Sequence, residues 1–162
     1  MTEHELFAKA LSFAAEKHAG QTRADGSPYI YHPIKVAEIL KDAGYDLRYQ
    51  MAGLLHDILE DTDATEDEVR VFGEGVLVAV KLVTRPEGMD EEEYVAAILQ
   101  NPMATAVKNA DKIHNMTDIV EAPDKEWAKQ YIQKVKKYYA GKFTLALDAA
   151  IAHAEIMTEG EN

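Results

Sequence analysis

The chain has 162 residues, 47% of them hydrophobic, which fits one domain with a real core. It contains no cysteine and carries a net charge of −12; disulfides and thiolate metal sites are excluded, and a protein that coats nucleic acid is argued against. No apolar stretch reaches the roughly 18 residues of a membrane span, and the N-terminal stretch lacks a signal peptide's basic and apolar regions, so a cytoplasmic protein without a membrane partner is expected.

In chain order, "TEHE" at 2–5 reads as a capping box, Thr2 with Glu5, opening a helix that runs to about His18. The stretch 19–33 carries Gly20, Gly26, Pro28 and Pro33 and reads as a loop. An amphipathic helix over 34–44 closes at Gly44. One helix is expected over 46–62, with others near 64–71, 74–84, 90–100, 102–119 and 124–157, the last with a break near Gly141. Asp90 and the glutamates at 91–93 suit a cap and first turn. Pro102 suits a first helical position. No stretch alternates convincingly enough for a strand, and residues 158–162 read as a disordered tail behind a single domain of 1–157.

The run "LLHDILEDT" (54–62) places four ionisable groups in apolar helix. At about 100° per residue from His56, Glu60 falls near 40°, Asp57 near 100° and Asp61 near 140°, opposite an apolar face. Gly53, near 60°, leaves room for something to approach this arc closely. An acidic solvated face is the plainer reading. Two features weigh against it: the run has no Lys, Gln or Ser, and three carboxylates within five residues repel one another unless a cation offsets them. A nitrogen from His56 and an oxygen from Asp57 suit a borderline divalent ion.

Further ligands must come from elsewhere. His32, in "YIYHP", is fixed by Pro33 at a helix start, whereas His4, His18 and His153 lie on plain amphipathic helices. In "VKNADKIHNM" (107–116), Asp111 shares a face with Asn115 and Lys108, with Ala104 beside them and His114 displaced to about 300°. A polar pocket and an ordinary polar helix face with one ion pair explain that spacing equally well. Trp127, Tyr131, Tyr138 and Tyr139 read as core aromatics more readily than as walls of a base-binding pocket.

Together, "YIYHP", "LLHDILEDT" and "VKNADKIHNM" resemble the motifs of the HD-domain metal-dependent phosphohydrolases, in particular the hydrolase domain of RelA/SpoT-type alarmone enzymes and their small stand-alone relatives. The resemblance implies an all-α HD-domain helical bundle. It implies one divalent ion, Mn²⁺ foremost with Fe, Zn or Co as alternatives, on His32, His56, Asp57 and Asp111. It implies Glu60 and Asp61 as the pair that orients water and handles protons, and Arg23, Lys112 and Asn115 as substrate contacts. The implied reaction removes the 3′-pyrophosphate of guanosine 3′,5′-bis(diphosphate). Ala24 and Thr117 stand where those enzymes commonly carry basic residues, which keeps two alternatives open. One is a phosphatase acting on another nucleotide, such as a deoxynucleoside monophosphate or an NADPH-like dinucleotide; the other is a metal- and nucleotide-binding module without turnover.

Overall fold

Ten α-helices and one 3-10 turn make up the regular structure of residues 1–160, the part described by this computed structural model. No strand forms among them; Thr22 and Pro28 make an isolated bridge inside the first loop. Helix α1 (Glu3–Lys17) opens with the expected capping box: the Glu5 N–H donates to Thr2 Oγ1 at 3.1 Å and the Thr2 N–H to Glu5 Oε2 at 2.8 Å.

Helix α2 (Tyr31–Asp42) starts three residues ahead of the expected position. Pro33 sits inside its first turn, where a missing N–H leaves no bond unmade, so this proline belongs to the helix rather than to the loop. Gly44, at φ +91°, ends the element as expected.

The helix expected over 46–62 is two helices, α3 (Leu47–Leu55) and α4 (Ile58–Asp61). The break falls on His56 and Asp57. A continuous helix would give the Gly53 carbonyl to the Asp57 N–H. Here that oxygen lies 2.7 Å from His56 Nδ1 and also accepts the His56 N–H at 3.5 Å. The histidine ring thus interrupts the helix that carries it.

Helices α5 (Glu66–Arg70), α6 (Glu74–Val83), α7 (Glu91–Leu99) and α8 (Pro102–Asp118) follow, then the 3-10 turn Ile119–Glu121, α9 (Lys125–Tyr139) and α10 (Leu145–Glu159). Asp90 occupies the N-cap of α7, but its side chain makes no cap bond. The expected interruption near Gly141 separates α9 from α10. Helix α10 continues past the expected domain end, with Thr158 buried and its hydroxyl donating to the Ala154 carbonyl at 2.8 Å. Of the expected tail, residues 158–160 are therefore ordered on the bundle, and Glu161 and Asn162 lie outside the described residues.

Two apolar clusters share helix α8. Its Ala104, Val107 and Ala110 pack with α1, α2, α3 and α6; its Met116 packs with α9 and α10. Apolar burial on both sides fixes α8 along the middle of the molecule. No described helix is long and apolar enough to cross a membrane.

Gly53 sets the contact of α3 with α2. A Cβ there would stand 2.8 Å from Leu40 Cδ1, 3.2 Å from Val36 Cγ1 and 3.5 Å from Ala37 Cα. The element that approaches this glycine is therefore helix α2, which carries His32. Leu40 and Val36 are buried and have little room to retreat. Gly53→Val is expected to destabilise the fold by about 1–3 kcal/mol despite the better helix propensity of valine. Thermal denaturation would register this as a fall of roughly 3–10 °C in Tm.

Candidate metal centre

Two helices and one helix break deliver four side chains to one point. His32 comes from the first turn of α2, His56 and Asp57 from the break between α3 and α4, and Asp111 from the middle of α8. One donor atom from each lies within 4.8 Å of all the others. His32 Nε2 is 2.8 Å from Asp111 Oδ1 and 3.2 Å from His56 Nε2; His56 Nε2 is 3.0 Å from Asp57 Oδ2 and 3.3 Å from Asp111 Oδ1.

The donor chemistry fits a divalent cation. His56 Nδ1 faces the Gly53 carbonyl, which can only accept, so that nitrogen carries the proton and Nε2 of the neutral ring is bare. His32 Nδ1 lies 2.7 Å from His114 Nδ1. Burial lowers the His32 pKa to about 3 against the pull of Asp111, and burial also lowers that of His114. With both rings neutral, the tautomer in which His32 Nδ1 donates to His114 leaves His32 Nε2 bare for a metal, whereas the other has Nε2 donating to Asp111 Oδ1 at 2.8 Å. In the first tautomer two ring lone pairs converge with the carboxyl groups of Asp57 and Asp111. This cluster can hold a divalent metal.

The two carboxylates differ in their surroundings. Burial, reinforced by Asp111, pushes the Asp57 pKa well above the ordinary carboxylate range. Asp111 is more enclosed, yet the Lys108 ammonium, 3.3 Å from its Oδ2, together with His32 and His56, overrides desolvation and holds its pKa well below that range. Asp111 therefore uses one oxygen toward Lys108 and the other toward the histidines. The Tyr29 hydroxyl donates to Asp57 Oδ2 and shares that oxygen with the cluster.

Glu60 and Asp61 lie on α4, exposed, each with a carboxylate oxygen within 4.8 Å of Asp57's. Glu60 Oε1 accepts the Arg85 N–H at 3.2 Å, which tethers it at the rim. The helix break shifts both from the angles expected on a straight helix, but it keeps them beside Asp57.

A cavity of about 360 Å³ adjoins the centre, lined by Arg23, Tyr29, Asn115, Asp118, Trp127 and Tyr131 among others. Arg23 donates from Nη2 to Asn115 Oδ1 at 3.2 Å and to Asp118 Oδ2 at 3.1 Å. Asn115 Nδ2 donates to the Tyr131 hydroxyl at 3.0 Å. Two of the expected substrate contacts, Arg23 and Asn115, therefore share this cavity. Lys112 does not: it is buried behind the wall, with Nζ 3.1 Å from the Tyr131 hydroxyl and over the Tyr131 and Tyr139 rings. Its long stem follows the apolar core, so it braces the wall and does not reach the lumen. The aromatic residues divide. Trp127 and Tyr131 stack at 5.7 Å and line the cavity, Tyr138 stays half-buried, and Tyr139 is core with its hydroxyl donating to Glu91.

Several contributors escaped the sequence reading. His114, displaced on the helical wheel, touches His32 across 82 positions of chain. Asp118 carries the partner of Arg23, and Tyr29 joins the cavity to Asp57. His18 is buried against Tyr29 at 4.8 Å, with Nδ1 2.9 Å from Gln21 Oε1. The only local hint was the spacing of Lys108 and Asp118 from Asp111 along α8.

Comparison with known proteins agrees with this geometry. The chain is 39% identical over 142 residues to human guanosine-3′,5′-bis(diphosphate) 3′-pyrophosphohydrolase MESH1, covering 82% of this chain and 79% of that one. It is 34% identical over 155 residues to the GTP pyrophosphokinase of Streptomyces coelicolor, covering 90% of this chain but only 17% of that protein. A solved structure described as a metazoan ortholog of SpoT that hydrolyzes ppGpp and plays a role in starvation responses superposes with a TM-score of 0.74 at 31% identity, covering 92% of this chain and 93% of that one. An HD domain family model matches residues 10–141, four-fifths of the length and every residue of the cluster, and on that match the chain belongs to the HD-domain family.

Proposed function

We propose that this chain is a metal-dependent phosphohydrolase that removes the 3′-pyrophosphate of guanosine 3′,5′-bis(diphosphate), with Mn²⁺ as its metal. The observation that carries the reading is the junction of a His32–His56–Asp57–Asp111 cluster with a cavity that offers both a guanidinium and an aromatic pair. His32, His56, Asp57 and Asp111 would hold the ion, which supplies Lewis acidity and lowers the pKa of water. Two neutral rings and two carboxylates suit Mn²⁺, and they suit Fe, Zn or Co as well.

Water adds to the phosphorus attached to O3′, the P–O3′ bond breaks, and pyrophosphate leaves with GDP as the other product. Glu60 and Asp61, beside Asp57 at the solvent rim, take the proton that the water gives up. The proton taken from water returns to O3′, which leaves as a hydroxyl. Arg23 offers a fixed guanidinium to an anionic group, braced by Asp118 and Asn115. Tyr131 and Trp127 offer a flat apolar face to a base.

The deciding experiment supplies the purified protein with Mn²⁺ and a panel: the tetraphosphate alarmone, nucleoside monophosphates, NADPH and an aryl phosphate. Release of pyrophosphate and GDP from the alarmone alone is expected. Orthophosphate from the other substrates, with the alarmone untouched, would overturn the substrate assignment. Trp127→Ala should raise KM for the alarmone roughly tenfold, the scale of one lost base–aromatic stack, with kcat little changed. Steady-state kinetics at saturating Mn²⁺ separates the two parameters.

A further inference from the structure

Arg85 takes no part in the proposed chemistry, yet it holds a carboxylate that does. Helix α4 is a single turn, and Glu60 on it is exposed, so its side chain would otherwise wander among rotamers. The two acids of α4 are held differently. Gln21 Nε2 donates to the Asp61 carbonyl at 2.9 Å, whereas the Arg85 N–H donates to the Glu60 carboxylate at 3.2 Å. The local sequence aims that N–H. Helix α6 ends at Thr84, whose hydroxyl donates to the Val80 carbonyl at 2.7 Å and whose backbone then turns extended, with ψ 107°. The N–H that follows, that of Arg85, leaves the helix and meets α4. Pro86 disfavours a helical conformation at Arg85, so the chain does not wind on.

The side chain of Arg85 is anchored in turn. Its Nη1 donates to Glu91 Oε2 in the first turn of α7, and Glu91 Oε1 accepts the Tyr139 hydroxyl at 2.9 Å. Tyr139 ends α9 and is buried in the cluster that α9 and α10 share. The Glu91 side chain is 11% exposed. Burial would raise its pKa, but the Tyr139 hydroxyl, then Lys134, Arg85 and Lys112, outweigh burial and hold it below the ordinary value. An ionised carboxylate with each oxygen on a different donor makes a firm strut. We propose that Arg85 is a positioning residue for Glu60: the contacts from Tyr139 through Glu91 fix the Arg85 N–H, and that N–H fixes the carboxylate beside Asp57. The role rests on the proposed reaction, in which Glu60 takes a proton from the attacking water. The direction of the contacts distinguishes this from an ordinary rim ion pair, since they begin in the core under α9 and end on a carboxylate of the candidate site.

A double-mutant cycle on kcat, with the alarmone at saturating Mn²⁺, tests the proposal. Arg85→Ala keeps the backbone N–H but loosens it. Glu91→Gln keeps an acceptor for Tyr139 and removes the charge that holds Arg85, and it carries the same cycle should Arg85→Ala fail to fold. Each should lower kcat roughly tenfold with KM little changed. Arg85→Lys, which can still pair with Glu91, should recover most of that loss. In a Glu60→Gln background Arg85→Ala should cost nothing more, because the group it positions is gone. Losses that multiply in that background, an Arg85→Ala kcat equal to the parent's, or a rise in KM alone, which would make Arg85 a substrate contact, would each overturn the proposal and leave the reaction standing. A parent that releases no pyrophosphate from the alarmone overturns the assigned reaction instead. If it turns over another member of the panel, the same cycle on that substrate decides the role of Arg85; a parent silent on the whole panel overturns both.

Discussion

Asp57→Ala is expected to abolish both metal uptake and pyrophosphate release, with turnover falling by about 10³-fold or more, the several kcal/mol that a bound metal supplies. Asp57 is the member of the cluster with least to offset its charge. Burial and Asp111 drive its pKa up, the nearest ammonium is committed to Asp111, and Tyr29 supplies its one neutral donor. In the folded, metal-free protein its ionised form is therefore unfavourable, and a divalent ion is what makes that form favourable. The sign follows from linkage. A carboxyl whose folded pKa lies above its unfolded value contributes stability at acid pH and loses it as pH rises through the folded value. Metal-free Asp57→Ala should thus melt no lower than the metal-free parent at neutral pH, while the upward shift of Tm on adding Mn²⁺ should vanish. Calorimetric titration with Mn²⁺ and differential scanning fluorimetry report the two effects separately. Retained turnover in Asp57→Ala would place the chemistry elsewhere.

How much of this was legible in the sequence depends on the range of the interaction. Capping boxes, proline at a first turn and glycine past a helix end act within four residues, and they located most helices. The all-helical class followed from the same local signals. His32, His56, Asp57 and Asp111 were identified through motifs, since spacing alone left Asp111 undecided. What spacing could not give was the interruption at His56. A helical wheel assumes that every carbonyl accepts from the backbone four residues on, and here a side chain takes the Gly53 oxygen. The early start of α2 was missed for a related reason, because Pro33 reads as a breaker unless it sits in a first turn. Gly53 was read correctly as a point of close approach, but its neighbour, helix α2, is set by tertiary packing. Tyr131 lines the cavity and Lys112 does not. Two faces of α8 are buried on different partners, and only the position of α9 decides which side chain lines the cavity and which supports it.

Lys108→Met should turn a metal-binding fold into a metal-dependent one. Burial lowers the Lys108 pKa, but Asp111 first, then Tyr94 and Tyr139, raise it well above the ordinary value instead. Its ammonium is 3.3 Å from Asp111 Oδ2 and over the Tyr94 ring at 5.2 Å. Removing one member of a buried pair strands the other and is strongly destabilising, about 3–5 kcal/mol. For the metal-free protein that corresponds to a fall of roughly 6–20 °C in Tm. Mn²⁺ would replace the lost positive charge next to the same carboxylate, so the loaded variant should recover much of the deficit. The acid limb offers an independent check. Asp111 has a folded pKa below its unfolded value, so in the metal-free parent it contributes stability above about pH 4 that is lost as pH falls through the folded value. Methionine removes the cation that depresses it, and the metal-free variant should lose less stability than the parent on acidification below pH ~4. Melting curves from neutral to acid pH, with chelator and with Mn²⁺, read both effects. A variant equally destabilised with and without metal, and as acid-sensitive as the parent, would mean that Lys108 supports packing and not the charge balance of the centre.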